Sequence, residues 1–294
     1  MKRLLINFAV ITSIIGLFPV MSSAQLSYIR EVRDSVTLGQ YTAIIYEVTG
    51  PDKQVDHEEF LLRLGRAPAM STMSKTVKLY DFAKDTPGLK SPKYSKDINH
   101  DGIDEIIVIG HTGLGNCCSH ASIHALGEKI ANDVGRLELK YTDEFSFKDL
   151  DKDSIPEILF KDPTFGEWNA PLEKSPMPMT IWKWHDGRYQ LANYRFSDYL
   201  LKEITKADLK ELDDRMKNWA EKDYKENPEL YKNPPVKLWE VMLDYIYAGK
   251  IETADSLFEA KWPEQISGQN KFNREFQTKL RSGVHWQDLE KSDF

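Results

Sequence analysis

Two short stretches of the chain carry oxygen-bearing side chains at spacings that suit a hard metal ion. The first reads DINHDGIDEIIVIG, and the second, 52 residues later, reads DLDKDSIPEILFKD. Positions 1, 3, 5 and 9 of these loops are Asp97, Asn99, Asp101 and Glu105 in the first, and Asp149, Asp151, Asp153 and Glu157 in the second. Calcium takes about six to eight oxygen ligands in flexible geometry. The spacing therefore predicts calcium as the cofactor, with Ile103 adding a backbone oxygen in the first loop.

The same residues also fit ordinary polar turns, because Asp, Asn and Gly are common turn residues. An EF-hand is excluded for the first loop, since its twelfth position, where an EF-hand places the closing acid, is Val108. The second loop has Ser154 where a tight turn prefers glycine, and Pro156 directly before the closing acid. We therefore expect the second loop to bind metal more weakly than the first.

An acid at position 9 followed by a strand resembles the calcium loops of FG-GAP and VCBS repeats, which occur in β-propeller blades of secreted proteins. The resemblance covers residues 95–110 and 147–162. A closed propeller needs at least about four blades, and residues 26–200 are too few for that with two evident repeats. The resemblance therefore implies a partial propeller or a twisted β-sandwich.

The hydrophobic pattern divides the chain into two regions. Residues 25–200 read as short strands separated by turn residues, which predicts a mainly antiparallel β domain. From residue 201 to residue 294, apolar residues recur at helical spacing. We therefore expect an α+β protein in which a β domain precedes a helical region.

The N-terminal residues predict export from the cytoplasm. Residues 1–24 combine a basic start, an apolar middle and a small-residue end, which is the pattern of a signal peptide cut before Gln25. A membrane anchor is the alternative, but polar residues interrupt the apolar run. No later segment has the roughly 20 apolar residues that a membrane span needs. We expect a periplasmic or secreted protein without stable membrane insertion.

Composition excludes several classes of protein. The 294 residues carry a formal charge of -7, and losing Lys2 and Arg3 with the signal peptide makes it -9, which disfavours nucleic acid as a partner. A hydrophobic content of 41% is enough for a folded core. The sequence contains no glycine-rich phosphate loop, nucleophile elbow or zinc-protease helix motif, so we predict no catalytic residues.

The only two cysteines are adjacent, and they predict a vicinal disulfide between Cys117 and Cys118 in an oxidising compartment. Three alternatives remain open at this point. The thiols could be free, or they could bind zinc or copper together with His111, His120 or His124. A nucleophilic Cys118 with His120 as its base is the third.

Aromatic residues cluster before the predicted boundary between the two regions, at Phe165, Trp168, Trp182 and Trp184. Core packing is the default interpretation. We expect alternation to bury one of Trp182 and Trp184 and to expose the other, which would then be available for recognition.

These patterns together predict an exported, calcium-loaded β module that acts in binding or in cell-envelope assembly, with a protein or glycan partner. The alternative is a secreted or periplasmic hydrolase that acts on an envelope or extracellular polymer. A pocket that joins two carboxylates, or that places His111 or His120 beside an acid, would favour the hydrolase.

Overall fold

The computed structural model describes residues 28–84, 93–114, 117–223, 225, 233–289 and 291. The predicted signal peptide at residues 1–24 lies outside these ranges. Three four-stranded antiparallel sheets are followed by helices, which confirms the α+β class and the order of its two regions. Among the helices described, none combines the length and apolar character that a bilayer crossing requires.

Each sheet is an up-and-down meander, in which strands that follow one another in the chain are neighbours. The first sheet contains β1 (Ile29–Leu38), β2 (Tyr41–Thr49), β3 (Val55–Leu64) and β4 (Ala67–Ser74). The second contains β5 (Thr76–Leu79), β6 (Glu105–Leu114), β7 (Cys117–Leu126) and β8 (Ala131–Lys140). The third contains β9 (Ser146–Lys148), β10 (Glu157–Lys161), β11 (Met179–His185) and β12 (Arg188–Leu191). The sheets are open, as expected for a partial propeller or a sandwich rather than a closed barrel.

The second sheet is buried on both faces, which explains the nearly uninterrupted apolar run of β6. Ile106 and Val108 pack with residues of the first sheet, including Phe60. Ile107 and Ile109 lie on the opposite face and pack with residues of the third sheet. The second sheet therefore lies between the other two, and the four residues Ile106 to Ile109 all meet apolar neighbours.

The helices begin directly after β12. A short 3-10 helix (Asn193–Phe196) leads into α1 (Ser197–Leu201), α2 (Lys206–Asn218), a π-helical turn (Trp219–Asp223), α3 (Val236–Tyr247), α4 (Ile251–Lys261), α5 (Gln269–Arg281) and α6 (Trp286–Leu289). Helix α2 starts at a capping box, in which Thr205 and Asp208 each satisfy a backbone N–H of the other. Pro235 precedes the first residue of α3, where its missing N–H leaves no hydrogen bond unmade.

The helices share one hydrophobic core with the third sheet. Trp239 and Phe276 of the helical region belong to the same cluster as Ile158 and Phe160 of β10. The fully buried side chain of Asn193 forms hydrogen bonds to both the β region and the helical region. Its Oδ1 accepts a hydrogen bond from the Ile181 N–H at 2.8 Å, and its Nδ2 donates to the carbonyls of Met179 at 2.9 Å and Tyr247 at 3.1 Å.

The expectation that one of Trp182 and Trp184 is buried and the other exposed is wrong. Residues two apart in a strand share a face, and both tryptophans contact the main core, with Trp182 only 8% exposed. The residue between them, Lys183, points to the other face and is nevertheless buried. A buried lysine requires an anionic partner.

We expect Asn193→Ala to lower the free energy of unfolding by about 2 kcal/mol or more, because it leaves a buried N–H and two buried carbonyls without a partner. Urea unfolding followed by circular dichroism measures this change. Asn218→Ala, at an exposed position at the end of α2, is the control and should change stability by less than about 0.5 kcal/mol. Equal stability of the two variants would show that the hydrogen bonds of Asn193 do not stabilise the contact between the β region and the helical region.

Candidate metal centre

The two acidic loops occupy equivalent positions in neighbouring sheets. Each joins the first and second strands of its sheet, and each ends on a glutamate that opens the second strand. These closing residues, Glu105 of β6 and Glu157 of β10, are both 0% exposed. The sequence repeat is therefore also a structural repeat.

The backbone takes the same path through both loops. Positions 4 and 6 have positive φ in each, at His100 (60°) and Gly102 (88°) in the first loop and at Lys152 (62°) and Ser154 (74°) in the second. Left-handed backbone is unfavourable for a residue with a side chain. Ser154 therefore adopts a conformation that glycine would adopt at lower cost.

Three hydrogen bonds from backbone N–H groups to carboxylates repeat in both loops. In the first loop they join Ile98 N to Glu105 Oε2 (2.7 Å), Gly102 N to Asp97 Oδ2 (3.0 Å) and Ile103 N to Asp101 Oδ1 (2.9 Å). In the second they join Leu150 N to Glu157 Oε2 (2.7 Å), Ser154 N to Asp149 Oδ2 (3.1 Å) and Ile155 N to Asp153 Oδ1 (2.8 Å). Each loop thus fixes its carboxylates in the same orientation.

In the first loop, the carboxylates face an amide and no cation. Asn99 Nδ2 donates to Asp101 Oδ2 at 3.1 Å and to Glu105 Oε1 at 3.2 Å. Within the described part of the chain, no lysine, arginine or histidine forms an ion pair with Asp97, Asp101 or Glu105. Burial raises the pKa of Glu105 to about 8, and the carboxylates of Asp101 and Asp97 act in the same direction.

In the second loop, a lysine occupies the centre. Lys183 Nζ lies 3.1 Å from Asp151 Oδ2, 2.6 Å from Asp153 Oδ2 and 3.0 Å from Glu157 Oε1, and the lysine is only 8% exposed. Burial alone would lower the pKa of Lys183, but its hydrogen bonds to the three carboxylates raise it overall. Arg195 adds a second cation at 3.2 Å from Asp151 Oδ2.

The carboxylate oxygens of Asp149, Asp151 and Asp153 all lie within 4.8 Å of one another, so this triad could hold a metal ion. Two members of the triad also bind Lys183, and the fourth predicted ligand, Glu157, is not part of the group. An ion at this triad would have to compete with the lysine ammonium for the same oxygens.

A tyrosine from the third sheet lies near the first loop. Tyr189 of β12 is 2% exposed, and its hydroxyl has no hydrogen-bond partner among the residues that the structure describes. Burial raises the pKa of Tyr189, and the next contributions come from the carboxylates of Glu105 and Glu157. An unpaired buried hydroxyl is costly, and an added oxygen ligand such as a water would satisfy it. Sequence reasoning did not single out Tyr189.

Among the described residues, the cysteine and histidine side chains do not form a metal cluster. Cys117 and Cys118 are joined by a disulfide at the start of β7. His111 pairs with Ser119 and Gly110 pairs with His120, so the two histidines lie on opposite faces of the sheet. His124 shares a face with His120 but stands four residues along the strand, about 13 Å away. The zinc or copper alternative therefore has no assembled ligand set in the described residues.

In excess chelator, we expect the melting temperature to fall as the pH rises from about 5 to 8. The folded protein holds the pKa of Glu105 at about 8, whereas an unfolded glutamate has a pKa of about 4.3. The folded state therefore binds this proton more tightly, and that advantage is lost as the pH rises through the folded pKa. Glu105→Gln removes the titrating group and should flatten the decline in differential scanning fluorimetry. If the melting temperature of Glu105→Gln falls with pH as steeply as that of the wild type, Glu105 is not the group responsible for the decline.

We expect thiol titration under denaturing, non-reducing conditions to find no free cysteine, and two after reduction, because Cys117 and Cys118 are joined to each other. Titration with a chromogenic disulfide reagent measures both values. Two thiols before reduction would contradict the disulfide.

The comparisons with known proteins leave this geometry as the basis for a functional proposal. No protein-family model, curated protein or solved structure is significantly similar to the chain. The resemblance of the two loops to FG-GAP and VCBS repeats consequently stays a prediction from their motif.

Proposed function

We propose that this chain is an exported β module that binds calcium at its first acidic loop and acts in binding or in cell-envelope assembly. One observation carries the proposal. Two loops of the same geometry each bury a closing glutamate, and the second loop neutralises Glu157 with Lys183. The first loop provides no such cation to Glu105 among the described residues. A divalent ion supplies the missing charge.

The ligand chemistry of the first loop favours calcium. Asp97, Asp101 and Glu105 offer carboxylate oxygens, and the backbone of Ile103 offers a carbonyl. Asn99 now turns its Nδ2 toward Asp101 and Glu105 and would offer its amide oxygen after rotation of the amide group, so every donor is a hard oxygen. Magnesium demands near-ideal octahedral geometry and retains several waters, whereas calcium accepts many protein oxygens in irregular arrangements. The donor types of the first loop therefore suit calcium better, although among the described residues the carboxylates that lie within 4.8 Å of one another are those of Asp149, Asp151 and Asp153 in the second loop.

The position of the loop indicates what the ion does. Glu105 lies on the same face of β6 as Ile107 and Ile109, which pack against the third sheet. An ion at this loop would therefore stabilise the contact between the second and third sheets. A stable stack of sheets is a rigid support for a binding surface.

A groove on this stack supports the binding role. It has a volume of about 520 Å³ and runs between β8 and β12, the last strands of the second and third sheets. The polar side chains along it include both donors and acceptors: Asp133, Arg136, Arg188, Gln190, Asp288 and Lys291. A glycan hydroxyl both donates and accepts hydrogen bonds, so a mixed lining suits a glycan or a polar protein surface.

Two further observations bear on compartment and on the alternative function. A disulfide between Cys117 and Cys118 agrees with an oxidising compartment, as does the signal-peptide pattern of residues 1–24. The cavity that contains His111 offers one carboxylate, Asp143, and an ion pair with Lys78 already engages it. The groove between β8 and β12, by contrast, brings two carboxylates, Asp133 and Asp288, into one pocket, which is an arrangement that the hydrolase alternative expects. The hydrolase alternative stays a prediction from sequence.

We expect calcium to raise the stability of the wild-type chain and to have little effect on Asp101→Ala. An ion that binds only the folded state stabilises it by about 2.7 kcal/mol at a hundredfold excess over Kd. Melting curves in calcium and in chelator measure the difference for each protein. Comparing each variant with itself removes the separate effect of losing the hydrogen bond from Ile103 N to Asp101.

Asp104→Asn is the matched control, because Asp104 lies in the same loop and its carboxylate accepts a hydrogen bond from Ser95 instead of facing the loop centre. This variant should keep the full calcium response. If chelation leaves the wild-type melting curve unchanged and calorimetry detects no calcium binding, the proposed calcium site is wrong.

A further inference from the structure

The strand register identifies one position that differs between the two loops. In the second sheet, Glu105 pairs directly with Ala125 of β7. In the third sheet, Ile158 pairs with Trp182, so Glu157, one residue earlier, faces Lys183 of β11. Ala125 and Lys183 therefore occupy the same place relative to the closing glutamates. Both residues are buried, at 6% and 8% exposure.

The oxygens that Lys183 contacts have counterparts in the first loop. Lys183 Nζ binds Asp153 Oδ2 and Glu157 Oε1. Among the described residues, the matching atoms, Asp101 Oδ2 and Glu105 Oε1, accept hydrogen bonds only from the Asn99 amide, at 3.1 and 3.2 Å. The ammonium thus lies at the point on which the carboxylates of the loop converge, which is where a cation would bind.

We propose that the residue opposite the closing glutamate decides how each loop is neutralised. Lys183 is a permanent internal cation that keeps metal out of the second loop, whereas the small Ala125 leaves room for an ion in the first. The chain then binds one metal ion instead of two. The count of one ion rests on the proposed function, while the exclusion of metal from the second loop does not depend on it.

Competition for shared oxygens is the physical basis of the exclusion. Calcium binds its oxygens at about 2.3–2.6 Å, and Lys183 Nζ is already within 2.6–3.1 Å of three carboxylates of the second loop. A divalent ion and an ammonium cannot share these oxygens without strong repulsion. Lys183 lies on β11, paired on both sides, so its backbone cannot move away from the loop. The positive φ of Ser154 is then not the main reason why we expect the second loop to bind metal weakly.

The experiment is a pair of reciprocal substitutions in the full chain, with ion stoichiometry measured by calorimetric titration of calcium chloride. We expect one ion for the wild type and two for Lys183→Ala, because removing the ammonium opens the second loop. Ala125→Lys should bind no ion, because it places an ammonium in the first loop. The combined swap should bind one ion, moved to the second loop.

Loop-specific variants assign each ion. Asp153→Asn should leave the stoichiometry of the wild type unchanged but remove one ion from Lys183→Ala. Asp101→Asn should remove the wild-type ion. Lys183→Ala leaves Glu157 as a buried charge without its lysine partner. We therefore expect the melting temperature of this variant to drop in chelator and to recover in calcium. Lys183→Ala/Glu157→Gln removes that charge and gives a folded control with a weakened second site.

The outcomes separate the two proposals. One ion in the wild type and one in Lys183→Ala would overturn the internal-cation proposal while leaving the calcium function intact. No ion in the wild type and one in Lys183→Ala would overturn the calcium function while leaving the internal-cation proposal intact. A wild-type chain that binds two ions, one of them lost in Asp153→Asn, would overturn the exclusion even if Lys183→Ala failed to fold.

Discussion

A buried glutamate at the start of the second strand is the constraint on which the stack of sheets depends. Glu105 and Glu157 are withdrawn from water, and each orders its loop by accepting a hydrogen bond from a backbone N–H near the start of that loop. A buried carboxylate is stable only if it is paired or protonated. The two loops meet this condition differently. Glu157 is paired with Lys183, whereas Glu105 has no such partner among the described residues, and burial raises its pKa to about 8.

The two loops lie against different parts of the fold. Glu105 faces the junction between the second and third sheets, close to Tyr189. Glu157 shares a face with Leu159, which packs with Phe196 and Leu200 at the start of the helical region. Arg195 of the same segment binds Asp151 of the second loop. Lys183 and Arg195 together hold the second loop, the third sheet and the entry to the helices with charges that belong to the chain.

Local patterns predicted the fold class and the two loops, because spacing within a strand or loop is visible in a single stretch of sequence. The pairing of Glu157 with Lys183 spans 26 residues and depends on strand register, which the motif does not contain. We expected one of the two tryptophans, Trp182 and Trp184, to be exposed. Alternation instead places both on one face and Lys183, between them, on the other. A lysine between two core tryptophans in a strand was the available signal for a buried ion pair. Ala125, by contrast, carries no signal until its partner Glu105 is known.

Internal and exchangeable cations give a chain different kinds of stability. An ammonium on a paired strand is present whenever the chain is folded, so Glu157 keeps its counter-charge in any ionic environment. An exchangeable ion stabilises only in proportion to its concentration. On the proposed assignment, with Lys183 in one loop and Ala125 opposite the other, the dependence on metal would be concentrated at the junction of the second and third sheets, which is also where the polar groove between β8 and β12 lies. On the proposed calcium binding, the ion would lie beside Ile107 and Ile109, which share one core with the third sheet and the helices. Its binding would then stabilise that core as well as the junction beside the groove.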